Sequence, residues 1–101
     1  MRIDFSRVLV DFEGKPIKES NAEDSKNVDL RRICINALMV NDDRDKIEGT
    51  EKLKRYQLAQ KILNGTNDVS AEEISKLKEL IGKYFGTIIV GQAFEILEKE
   101  K

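Results

Sequence analysis

The chain has 101 residues, of which 40% are hydrophobic and 37% are charged, and its 18 basic and 19 acidic side chains leave a net charge of -1. A chain of this length is typical of one domain with one core, and the balanced charge gives no overall attraction to nucleic acid or to an acidic membrane. Histidine is absent, which removes the commonest general base and metal ligand. We therefore expect a single domain over residues 1–101.

The N-terminal residues 1–17 predict a β-hairpin. Apolar and polar side chains alternate along this stretch, as in a half-buried strand, and Glu13-Gly14-Lys15-Pro16 is a turn sequence before the return at Ile17. Two strands are marginal alone, so their apolar face is expected to lie on helices. The polar residues 18–27 predict a solvated loop. The alternating apolar residues are Ile3, Phe5, Val8, Val10 and Phe12.

Residues 29–40 predict the first amphipathic helix, within a helical region that spans residues 28–99. Ile35 and Met39 lie four residues apart on a second apolar side of this helix, so it is either central to the core or in contact with a partner. Ile35 and Met39 are therefore our candidate protein interface. Cys34 is the only cysteine and is expected to be a buried thiol. The core stripe comprises Leu30, Ile33, Cys34, Ala37 and Leu38.

An acidic turn follows the first helix and raises the possibility of a calcium loop. A calcium loop of the EF-hand type needs glycine at its sixth position and glutamate at its twelfth. Counted from Asn41, these positions hold Lys46 and Lys52, so the pattern favours a solvated turn. We predict no metal site and no cofactor. The oxygen-bearing side chains of the turn are Asn41, Asp42, Asp43, Asp45 and Glu48.

Residues 50–63 predict the second helix, which ends at Asn64-Gly65. We expect its apolar face to comprise Leu53, Tyr56, Ala59, Ile62 and Leu63, with Leu58 at the margin. Its basic side chains form a candidate basic face that would be the site of a nucleic-acid binder. Such a charge run is usually a solvated face, and the net charge disfavours nucleic acid. The basic residues are Lys52, Lys54, Arg55 and Lys61.

The third helix has the most specific local signal in the chain. Ser70-Ala71-Glu72-Glu73 matches the capping box, in which the serine and the second glutamate each bind the other's backbone amide. Gly86 is expected to end this helix. The β-branched residues 87–90 are also compatible with a strand, but the apolar spacing that continues beyond them favours a fourth helix over residues 87–99. Gly91 in that helix leaves room for another backbone to approach.

Three stretches together resemble small uncharacterised proteins encoded by tailed bacteriophages and prophages. They are Ile3-Asp4-Phe5-Ser6 running on to Gly14-Lys15-Pro16-Ile17, then Glu51-Lys52-Leu53-Lys54-Arg55-Tyr56, and finally Val90-Gly91-Gln92-Ala93-Phe94-Glu95. That group has no agreed activity, so the resemblance implies no functional residue. It implies only a context, which is a phage or prophage gene product in a bacterial cytoplasm.

The sequence thus predicts an α+β, mostly helical fold with an N-terminal β-hairpin packed on a compact cluster of about four helices. No catalytic motif is evident, and we expect a non-enzymatic protein-binding module that acts in phage assembly or is a minor structural protein. Its partner would be another protein or a second copy of the chain. An inhibitor or regulator of a host enzyme is the alternative, and a nucleic-acid binder is the third. The start of the chain lacks a signal peptide's apolar run, so we expect a cytoplasmic or virion-associated protein without membrane contact.

Overall fold

Four α-helices make up most of the chain that the computed structural model describes, namely residues 2–18, 27–40, 46–65 and 67–98. They are α1 (Leu30–Met39), α2 (Gly49–Leu63), α3 (Ala71–Tyr84) and α4 (Thr87–Glu98). α1 packs against α2 and α3, and α3 packs against α4. The predicted, mostly helical architecture is confirmed, and residues 87–90 belong to a helix. The polar loop between residues 18 and 27 and the acidic turn at 41–45 fall largely or wholly outside the described residues.

The core is apolar throughout the described part of the chain. Its helical members follow the spacing that the sequence predicts for α1 and α3, because residues three and four apart share one helix face. Cys34 is fully buried among them. The buried helical side chains are Leu30, Ile33, Cys34, Ala37, Leu38, Leu58, Ala59, Ile62, Ile74, Leu77, Leu80, Ile81, Ala93, Ile96 and Leu97.

The predicted β-hairpin is not formed as a pair of strands within residues 2–18. The chain does turn back at Gly14, which has a φ of 82°, and Val10 forms an antiparallel bridge with Pro16. The bridge does not extend into a ladder, because the backbone hydrogen bonds join three stretches of chain, around Leu9, Ile17 and Val28. The amide of Leu9 donates to Val28, that of Val28 donates to Ile17, and that of Ile17 donates to Leu9, at 2.9, 2.7 and 2.9 Å.

The N-terminal segment, residues 2–18, caps α1. The first amides of any helix lack a partner within the helix. Here the amides of Leu30 and Arg31 donate to the carbonyls of Arg7 and Phe5, at 3.0 and 2.8 Å. The next amide is bound by the side chain of Asp29 at the N-cap. The segment therefore supplies carbonyl partners to a helix in addition to the few backbone bonds of its own turn.

The predicted alternation is confirmed for Ile3 and Phe5, which are buried, but from Val8 to Phe12 the apolar side chains face the other way. Leu9 is fully buried together with Ile3, whereas Val8 is 40% exposed and Phe12 is 95% exposed. Side chains alternate across an extended backbone, so burial of Leu9 turns Val8, Val10 and Phe12 away from the core. The pattern is real, but these three side chains lie on the surface opposite to the one predicted.

The apolar face of α2 agrees with the prediction at Ala59 and Ile62, which are buried, and differs elsewhere. Leu58 and Ile62 are buried, whereas Leu53, Tyr56 and Leu63 are 53%, 50% and 65% exposed. Leu53 and Ile62 are separated by about 2.5 turns of 3.6 residues, so they lie on opposite faces and only one of them can contact α1. The burial of Ile62 therefore leaves apolar side chains on the outer face of α2.

The capping box of α3 is confirmed. The amide of Glu73 donates to the Ser70 hydroxyl at 3.1 Å, and the amide of Ser70 donates to the Glu73 carboxylate at 2.8 Å. Both partners are within one turn of each other, so this element depends little on the rest of the fold. It fixes the point at which α3 begins beside α2.

Candidate protein-interaction surface

The end of α1 and the first half of α2 enclose a shallow groove, here called the α1–α2 groove. Met39 is the last residue of α1, and Tyr56 projects from α2; both line the groove together with Ile47, and its volume is about 250 Å³. Two cations, Lys52 and Arg55, also line it. The groove is therefore a mainly apolar depression with two basic side chains, which suits a partner with apolar and acidic side chains.

Met39 and Tyr56 are the exposed apolar members of this groove. Met39 is 56% exposed and Tyr56 is 50% exposed. The Tyr56 hydroxyl accepts a hydrogen bond from Nε2 of Gln60 at 3.0 Å, which fixes the ring on the helix surface. Leu53, one turn before Tyr56, extends the exposed area. We call Met39, Ile47, Leu53 and Tyr56 the Met39 surface.

The two candidate interface residues of α1 have different surroundings. Ile35 is half-buried and packs against the core, whereas Met39 is exposed at the end of the helix. The second apolar side of α1 is thus shared between the core and the surface. Met39 is the member that is available to a partner.

The candidate basic face is divided by ion pairs. Nε of Arg55 is 3.3 Å from the Glu51 carboxylate, and the Arg55 side chain is only 13% exposed. Lys61 lies 3.0 Å from Glu73. Lys54 is exposed and lies beside these pairs in a groove between α2 and α3 of about 390 Å³. The groove mixes both signs of charge, so it does not form the continuous positive surface that a phosphate backbone favours.

The ion pairs lower the pKa of two carboxyl groups. Burial raises the pKa of Glu51, but hydrogen bonds and charges from Lys76 and Arg55 outweigh it and hold the pKa below its usual value. Burial likewise raises the pKa of Glu73, and the Ser70 amide and Lys61 outweigh it. Both carboxylates tie α2 to α3, because Glu51 is 3.2 Å from Nζ of Lys76. This arrangement is an ion-pair network that links the two helices.

The pKa of Cys34 is raised, in contrast to the lowered pKa values of the two carboxyl groups. Burial, followed by the nearby negative charge of Asp29, raises the pKa of the thiol from 9.0 to about 12. A thiol reacts as its thiolate, so Cys34 is protected both by burial and by its protonation state. The prediction of a buried thiol is confirmed.

Sequence reasoning missed the apolar side chains on the outer face of α2 and at the N-terminal turn. The available signal was the width of the apolar arc on α2: Leu53 and Ile62 lie on opposite sides of the helix, so no single neighbour covers both. In the N-terminal segment, both Leu9 and its neighbours Val8 and Val10 are apolar. The local pattern alone therefore did not decide which set faces the core.

No family model, no curated protein and no solved structure matches the chain significantly. Among the described residues, no helix is both long and apolar enough to cross a membrane. In that same part of the chain, no three histidine, cysteine, aspartate or glutamate residues are grouped in a way that would hold a metal ion. The geometry of the surface is therefore the basis for the functional proposal.

Proposed function

We propose that the chain is a non-enzymatic protein-binding module and that the Met39 surface is its binding site. The observation that supports this is the half-exposed pair Met39 and Tyr56 in one groove, at 56% and 50% exposure. Aromatic residues and methionine are enriched at protein interfaces, and tyrosine is a frequent energetic anchor. Methionine also adapts its shape to a partner.

The chemistry of the surface defines the partner. Apolar groups of the partner would cover Met39, Ile47 and Tyr56, and an acidic group would pair with Lys52, which also lines the groove. Lys52 has no ion pair within the described chain. A charge at the rim contributes mainly to association rate and orientation, whereas the apolar centre provides affinity.

The resemblance to phage and prophage proteins provides the context of this proposal. In that context the chain is an assembly-accessory or minor structural protein in the cytoplasm of a bacterial host, or part of the virion. The alternative is a small inhibitor or regulator of a host enzyme that acts through acidic patches of the chain. The identity of the bound protein separates these two roles.

The experiment is affinity capture from host cells, with Met39→Lys as the test variant and Leu63→Lys as its matched control. Met39 and Leu63 are the last residues of their helices, so both substitutions place a cation at the end that the helix dipole favours. Both side chains are more than half exposed, so neither change should unfold the chain. Leu63 does not line the groove.

We expect the wild type and Leu63→Lys to retain the same protein and Met39→Lys to lose it by at least about tenfold, or about 1.4 kcal/mol. A virion protein as the captured partner supports the assembly role. A host enzyme supports the regulatory role instead. Capture that Met39→Lys leaves unchanged contradicts the proposed surface.

A further inference from the structure

A second exposed apolar surface lies between the N-terminal segment and α4. Val8, Val10 and Phe12 alternate along the backbone and line a groove whose other wall is Ile88 and Ile96 of α4; Gly91 also lines it, and its volume is about 650 Å³. This size falls within the range of about 300–1,000 Å³ found for ligand sites. We call it the α4 groove. It shares no residue with the Met39 surface.

Gly91 leaves an open space in this groove. A glycine inside a helix costs about 1 kcal/mol relative to alanine, and α4 continues on both sides of Gly91. A Cβ built on Gly91 would meet no atom within 4 Å, whereas a Cβ on Gly82 would contact the Phe94 ring at 3.5 Å. Packing within the described chain therefore does not explain the glycine at position 91. The space is available to a group from outside.

Phe12 projects from the same surface, on a turn whose backbone is ordered by hydrogen bonds. Its ring is 95% exposed. The amide of Asp11 donates to Lys15 at 2.8 Å, and that of Gly14 donates to Asp11 at 3.0 Å. The Asp11 carboxylate accepts from the amides of Glu13 and Lys15 at 2.9 and 3.0 Å. Because the backbone of the turn is already ordered, its ordering adds little to the entropy lost on binding.

We propose that two copies of the chain associate about a twofold axis, with Phe12 of each copy inserted into the α4 groove of the other, against Gly91. A twofold interface uses one patch on both copies, so the patch must contain both members of each contact. This surface contains a projecting ring and an open groove. It also contains one cation, Arg7, and two anions, Asp11 and Glu95. Arg7 and Glu95 are in no ion pair within the described chain, whereas the Asp11 carboxylate is bound by the amides of Glu13 and Lys15. Across the axis, Arg7 of one copy faces Glu95 of the other.

The first test is the oligomeric state, measured by sedimentation equilibrium. Protein concentrations up to about 1 mM are used, so that a dimer with a dissociation constant in the millimolar range is still detected. The wild type is expected to change from one chain to two as concentration rises. Phe12→Ala removes the ring, and Gly91→Leu fills the groove, so each should raise the dissociation constant at least about tenfold. A wild type that remains a single chain at all concentrations overturns the proposal.

Gly82→Ala is the matched control for Gly91→Leu. Both replace a helical glycine and improve helix propensity, but Gly82 does not line the α4 groove. Gly82→Ala should leave dimerisation unchanged. Unfolding midpoints measured at concentrations where the chain is monomeric should be unchanged in Phe12→Ala and unchanged or higher in Gly91→Leu. Lost dimerisation in these variants then cannot be attributed to lost folding.

The second test is a cross-link between copies. Phe12→Cys protein mixed with Gly91→Cys protein should form a mixed disulfide under mild oxidation, because both positions meet in the proposed dimer. Phe12→Cys mixed with Lys54→Cys should not, and Cys34 is buried and remains unreactive. A dimer that Met39→Lys abolishes and Phe12→Ala does not would place self-association on the Met39 surface. That result would overturn this proposal without affecting the existence of a protein-binding site.

Discussion

The side-chain amide of Gln92 pairs with both backbone groups of Val10, 82 positions away in the chain. The amide of Val10 donates to Oε1 of Gln92 at 2.8 Å, and Nε2 of Gln92 donates to the Val10 carbonyl. The side chain thus occupies the place that a neighbouring strand would take. This pair attaches the N-terminal segment to α4 and fixes the base of the turn that carries Phe12.

Replacement of Gln92 by alanine is expected to destabilise the fold by about 1–3 kcal/mol, because it leaves two partly buried backbone groups without a partner. The measurement is urea unfolding. Gln57→Ala is the matched control, since Gln57 is an exposed glutamine on α2, and its loss should change stability by less than about 0.5 kcal/mol. Equal stability of the two variants would contradict the role of the Gln92–Val10 pair.

Removal of the N-terminal cap of α3 should also reduce the stability of the fold. Ser70→Ala deletes the acceptor for the Glu73 amide, and such a loss costs about 0.5–2 kcal/mol. Ser75→Ala provides the comparison, because Ser75 lies exposed inside α3 and alanine has the higher helix propensity. Thermal unfolding should show Ser70→Ala below the wild type and Ser75→Ala at or slightly above it. The reverse order would exclude a stabilising cap.

Stability should decrease at alkaline pH because of Cys34. The thiol of the unfolded chain ionises near 9.0, whereas the folded thiol keeps its proton up to about 12. Between these values the unfolded state has lost a proton that the native state retains, so stability falls as pH rises. Urea midpoints at about pH 8 and about pH 10.5 should differ more in the wild type than in Cys34→Ala. The same decrease in both proteins would show that Cys34 is not its source.

Stability should also decrease at acid pH through Glu51. Its folded pKa lies below the usual 4.5, so its contribution is present above that value and is lost as pH falls through the lowered pKa. Glu51→Gln should cost about 1 kcal/mol or less near neutral pH, and this cost should disappear in acid. Glu48→Gln is the control, because Glu48 makes no side-chain cap bond at the start of α2. If the stability lost in Glu51→Gln did not depend on pH, the loss would come from packing and not from charge.

Local signals predicted the helices but not which apolar side chains of α2 and of the N-terminal segment lie on the surface. The Ser70–Glu73 cap lies within one turn, so the sequence contained all of its parts. The contact between Gln92 and Val10 joins residues 82 positions apart, and no local pattern indicates it. The choice of Leu9 over Val8 as a core residue depends on the bond from the Leu9 amide to Val28, which the sequence pattern does not specify.

The most direct test of the central claim is photo-crosslinking in host cells, with a photoreactive amino acid placed at Met39 or at Tyr56. The comparison position is Asn36, an exposed polar residue of α1. We expect positions 39 and 56 to give a crosslinked product with the same second protein, and position 36 to give none. Identical products from all three positions, or none from 39 and 56, would contradict the claim that the Met39 surface binds a protein.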